Sequence, residues 1–189
     1  MIYADRVTDF NRTTAELEEF LLFGIAVAGK NADATAKGLD KLLRVLGFPI
    51  LSPLQAIRNG IKTGQFTPEL IRECGLGCYN QRYCSFRSAA ARKMNLYACS
   101  VEDLEQIHGI GKKTSRFFML HTRRDFKGAA LDTHILKFLR SRGVQDVPTN
   151  TPGSTTQYRR LEEAFLKTVP PHMTVADWDL SIWNSYAGR

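Results

Sequence analysis

The chain has 189 residues, enough for one conventional core or two small ones. A hydrophobic content of 43%, with 11 Phe and 6 Tyr, excludes an intrinsically disordered tail, and net charge +7 from 26 Lys and Arg against 19 Asp and Glu favours polyanionic partners. The start MIYADRVTDFNRTTAELEEF lacks the features of a secretory signal, and the longest apolar run, FLLFGIAVAG at 20–29, is too short to span a bilayer. A cytoplasmic protein without a membrane partner is therefore expected.

In chain order, Thr13 with Glu16 forms a capping box ahead of LEEFLLFGIAVAG, and a second amphipathic helix is predicted through KGLDKLLRVLG. Ser52-Pro53 and Thr67-Pro68 are hydroxyl caps followed by proline, the pattern of two further helix starts. Helices follow over CYNQRYCSFRSAAARKMNLYA, SVEDLEQI, TSRFFMLH, DTHILKFLRSRG, YRRLEEAFLKTV and VADWDLSIWNSY, each with apolar residues at three- and four-residue spacing. VPTNTPGSTTQ at 147–157 reads as an exposed loop, and no stretch alternates like a half-buried strand. The fold class is all-α. The four cysteines, 74, 78, 84 and 99, read as reduced, buried free thiols, since their spacing is not the paired CxxC of structural zinc sites.

The stretch IHGIGKKTSRF at 107–117 could cradle a nucleotide or a DNA strand. A P-loop needs GxxxxGK followed by Ser or Thr behind an apolar strand, whereas Gly111-Lys112 is followed by Lys113 and preceded by a capped helix. What remains is helix, His-Gly-Ile-Gly, helix, in which Gly109 and Gly111 open a backbone path closed to residues with a Cβ. Amides at the start of the next helix then suit a phosphate oxygen, with Lys112 adding charge. Further on, AALDTHILKFL places Asp132 as the cap of another helix.

The pair IHGIGKKTS and LDTHILKFL resembles the helix-hairpin-helix DNA glycosylase superfamily, whose hairpin LPGxGxKTA is followed by V-D-T-H. The segment GCYNQRYCSFRSAA at 77–90 is similar to the G-x-Y-N-x-[KR] segment that precedes the hairpin there. The resemblance implies a two-lobed helical fold in one unit spanning 1–189, with the hairpin at about 100–121 and the aspartate helix from 132. It implies that Lys113 stands where bifunctional glycosylases keep the amine that attacks the sugar, and Asp132 where they keep the catalytic aspartate. Gly109, Gly111, Lys112, Thr114, Lys30, Arg82 and Arg116 become candidate DNA contacts, and Tyr79 and Trp183 candidate walls of a base pocket. Chemistry on duplex DNA requires the base to leave the stack.

Three features depart from the repair enzymes of that superfamily. No cysteine follows Cys99, so the iron–sulfur cluster that many of them hold after the aspartate is not expected; a divalent or monovalent metal stays open. Where a plugging glutamine is often found, this chain reads VAGKNAD, with Gly29 and Lys30. The C-terminal VPTNTPGSTTQYRRLEEAFLKTVPPHMTVADWDLSIWNSY resembles phage proteins that reuse the glycosylase scaffold for thymine hypermodification. That resemblance implies a monomeric transferase in a host cytoplasm, replacing pyrophosphate on 5-(pyrophosphoryloxymethyl)uracil in double-stranded DNA with a small amino acid or amine such as glycine. A bifunctional glycosylase and lyase is the second reading. A non-enzymatic hairpin that grips DNA is the third.

Overall fold

A computed structural model describes residues 2 and 7–186, and all regular structure among them is helical. The chain divides after Gly111 into two compact units. No helix among the described residues is long and apolar enough to cross a membrane.

The first unit carries α1 (Thr14–Val27), α2 (Ala32–Val45), α3 (Pro53–Thr63), α4 (Pro68–Glu73), α5 (Tyr79–Ala91) and α6 (Val101–Glu105). The expected caps form: the Glu16 carboxylate accepts from the Thr13 amide at 2.7 Å, and Thr67 Oγ1 accepts from the Leu70 amide at 3.2 Å. Two boundaries differ from expectation. Helix α2 begins at Ala32, ahead of KGLDKLLRVLG, because the Asn31 side chain accepts from the Ala34 amide at 2.9 Å. Helix α5 stops at Ala91 instead of running on through KMNLYA, since Asn95 offers its side chain to the Tyr97 amide and its carbonyl to the amides of Ala98 and Cys99. Helix α1 packs on α2, α3 and α5, and α5 also rests on α3 and α4. Phe20, Phe23, Leu39, Leu43, Ile57 and Phe86 are sealed between them.

The second unit carries α7 (Lys112–Thr122), α8 (Thr133–Ser141), α9 (Thr155–Leu166) and α10 (Val175–Tyr186). The loop expected over 147–157 ends early, because Ser154 caps α9 and Thr155 starts it. Helix α8 packs on α9 and α10, and α10 also meets α7. Phe118, Leu131, Leu136, Leu139, Leu161 and Phe165 form the core. The fully buried Tyr158 of α9 donates its hydroxyl to the carbonyl of Ala129 at 2.8 Å and accepts from the amide of Leu131 at 3.1 Å. Burial pushes this phenol well above its usual pKa, so it keeps its proton. Glu162, one turn further along α9, accepts from the Ala129 amide and from Arg116 Nε, both at 2.9 Å. Helix α9 thus fixes the non-helical stretch 129–131 that delivers Asp132.

Candidate active site

The hairpin turn is braced by α5. Gly109 has φ +83°, and a Cβ there would stand 2.2 Å from Ser85 Oγ, so only glycine fits. Ser88 Oγ accepts from the His108 amide at 2.9 Å, and Arg92 reaches the carbonyl of Gln106. Gly111 differs from the expectation set for it: its φ is not positive, and a Cβ would meet open space. The constraint on the turn therefore lies at Gly109, while Gly111 leaves a clear approach to the chain.

At the start of α7 the amides of residues 111–114 have no acceptor among the described residues, as the first turn of a helix leaves them. Lys112 is half-buried and donates from Nζ to the carbonyl of Gly153 at 3.0 Å. Lys113, also half-buried, holds Nζ 5.7 Å from the centroid of the Phe117 ring.

Asp132 caps α8 with one oxygen. Its Oδ1 accepts from the amides of His134 at 2.8 Å and Ile135 at 2.9 Å, while Oδ2 has no hydrogen-bond partner among the described residues. The carboxylate is held in place and still has a free oxygen to accept a proton.

A third group joins these two. Asp179 of α10 is 6% exposed and its carboxyl feels the charges of both Asp132 and Lys113. Burial first, then the neighbouring Asp132, push this carboxyl well above the usual carboxylate range, against the pull of Lys113. Sequence reasoning missed it. The available signal was its place in VADWDLSIW, where Asp179 shares the helix face of Val175, Ala176 and Ile182.

No family model matches this sequence, and no curated protein matches it. Among solved structures the chain is similar to the 8-oxoguanine DNA glycosylase of Thermotoga maritima, with a TM-score of 0.71 and 22% identity over 97% of this chain and 88% of that one. The fold is that of a helical DNA glycosylase.

On this glycosylase fold the remaining candidate residues sort by burial. Lys30 is exposed after α1, with its ammonium beside Gly77. Arg82 is not a phosphate contact: it is 5% exposed and donates to the carbonyls of Ala26 and Gly77, joining the end of α1 to the turn before α5. Arg116 is likewise engaged, bound to Glu162 and stacked 4.7 Å over the Tyr158 ring. Thr114 is buried, and its backbone amide is one of those at the start of α7 without an acceptor among the described residues. Tyr79 is exposed in the first unit beneath Arg72, and Trp183 in the second meets His134 edge-on at 5.7 Å. The cysteines correct another expectation, because only Cys74 and Cys99 are buried, whereas Cys78 and Cys84 are exposed.

Proposed function

We propose that this protein modifies a base turned out of duplex DNA, as a transferase that replaces the pyrophosphate of 5-(pyrophosphoryloxymethyl)uracil with an amino acid such as glycine. The reading rests on the buried carboxyl of Asp179, on which the charges of both Lys113 and Asp132 act, within a glycosylase fold. In the transfer, the amine nitrogen bonds to the 5-methylene carbon and the carbon–oxygen bond to pyrophosphate breaks, the electron pair leaving with pyrophosphate. Asp132 accepts the amine proton on its free Oδ2, and Lys113 offsets charge on the departing group. The resemblance of the C-terminal region to thymine-hypermodifying phage proteins supports this chemistry over base removal, as does Gly29-Lys30 where repair enzymes often carry a plugging glutamine. The partners are double-stranded DNA and a small amine, and the protein acts as a monomer in the host cytoplasm.

A bifunctional glycosylase and lyase is the second reading, favoured by the likeness to the Thermotoga 8-oxoguanine DNA glycosylase. In it, Lys113 bonds covalently to C1′ of the sugar as the base leaves.

Two assays on one panel of duplex oligonucleotides separate the readings. The transferase adds the mass of the amino acid, less pyrophosphate, to DNA carrying the pyrophosphorylated base, without strand cleavage. Borohydride trapping of a covalent adduct on damaged-base duplexes, lost in Lys113→Ala, would overturn it in favour of the glycosylase. Salt-sensitive duplex binding with neither activity would reduce the protein to a hairpin binding module.

A further inference from the structure

A second carboxyl, Asp179, is buried on the helix that packs against α8, and the second unit makes no structural use of it. Neither oxygen of Asp179 has a hydrogen-bond partner among the described residues, and Oδ1 is closed to solvent. A buried carboxyl without a donor destabilises a fold that a leucine at the same place would not, so packing does not account for it. Helix α10, which carries it, rests on α7 and α8, whose starts hold Lys113 and Asp132; both charges act on this carboxyl, and its own acts on Tyr158 of α9. His134 also lies in the first turn of α8, its ring against Trp183 and its Nδ1 buried without a hydrogen bond.

With both carboxyls ionised, Lys113 would face two anions and have little attraction left for a third. With Asp179 neutral, Asp132 and Lys113 balance each other, and an arriving pyrophosphate meets no net repulsion. Resting on the transferase reading above, we propose that Asp179 is a positioning residue for the reaction: it stays uncharged during turnover, leaves Asp132 as the single anion beside Lys113, and switches the site off when it ionises. The raised pKa of its carboxyl agrees with that assignment. No covalent step passes through Asp179; it holds one proton throughout.

The test compares wild type with Asp179→Asn, which keeps the shape and carries a permanent neutral group. Wild-type transfer of glycine to a duplex with the pyrophosphorylated base should fall about tenfold per pH unit beyond an alkaline midpoint. Asp179→Asn should lack that fall, its profile staying level over the pH range in which the wild type declines. The carbon-13 carboxyl signal of labelled wild type, assigned by its loss in the variant, should be that of a protonated acid at neutral pH. An ionised signal at neutral pH, or an alkaline fall at the wild-type midpoint in a variant that melts normally, would each overturn the proposal. Should Asp179→Asn not fold, Asp179→Ser makes the same comparison. Absence of wild-type transfer on the whole panel sinks the transferase reading instead, and the carboxyl signal still decides whether Asp179 is uncharged.

Discussion

The two units treat a buried ionisable side chain in opposite ways. Arg82 in the first is 5% exposed, and its guanidinium is met by the carbonyls of Ala26 and Gly77. Asp179 in the second is 6% exposed and meets no donor among the described residues. Burial opposes the charged form of both, lowering the pKa of the arginine and raising that of the aspartate. Arginine cannot discharge itself by losing a proton under ordinary conditions, so the fold must supply acceptors. An aspartate can become neutral, and then needs none. Arg82 therefore acts as a strut, whereas Asp179 has no such structural part and is open to the role proposed above.

The largest expected effect concerns the anion beside Asp179. Asp132→Asn keeps a good helix cap but loses the proton acceptor, so transfer to the modified duplex should drop by about 10²–10⁴-fold while the melting temperature barely moves. A comparable loss of stability would make Asp132 a strut like Arg82. Next, Arg82→Ala strands two carbonyls and should destabilise the protein by about 2–4 kcal/mol in denaturant melts, with the salt dependence of DNA binding unchanged. If DNA affinity falls and stability does not, the strut assignment fails. Gly109→Ala drives a Cβ to 2.2 Å from Ser85 Oγ and imposes a left-handed backbone on alanine, at about 1–3 kcal/mol; Ser85→Gly in that background should recover part of the loss.

A smaller effect should follow pH. Above the ordinary aspartate value of 3.8, the folded protein holds a proton on Asp179 that the unfolded chain has released, so stability falls as pH rises toward the raised folded value. Asp179→Asn escapes that fall. Its melting temperature should match wild type in strong acid and exceed it by a growing margin as pH rises. Smallest of all, Lys112→Ala should leave melting unchanged and lower the slope of log affinity against log salt by about one, as one lost phosphate contact does.

The helices were legible wherever a cap announced them, as at Thr13, Thr67 and Ser100, and so was the all-helical class. The start of α2 was not, because Asn31 follows Gly29-Lys30 and resembles part of a turn until its side chain is seen on the Ala34 amide. Lys113 and Asp132 could be singled out from short motifs because the hairpin and the D-T-H start are local patterns. Arg82 and Arg116 could not be told from surface cations, since their acceptors lie far along the chain, at Ala26 and Glu162. Asp179 was hidden for a related reason. It sits two residues from Asp177, which is exposed and engaged with Thr174, and only the packed helix separates the one from the other.

Asp132 divides its labour between two oxygens, and this limits how the protein can vary. With Oδ1 tied to two amides of α8, the carboxylate is held in one position. In the proposed transfer, a glutamate there, longer by one methylene, would overshoot both the helix start and the reacting atom. On that reading any widening of substrate range must come from the walls around this fixed point, since the point itself has no play.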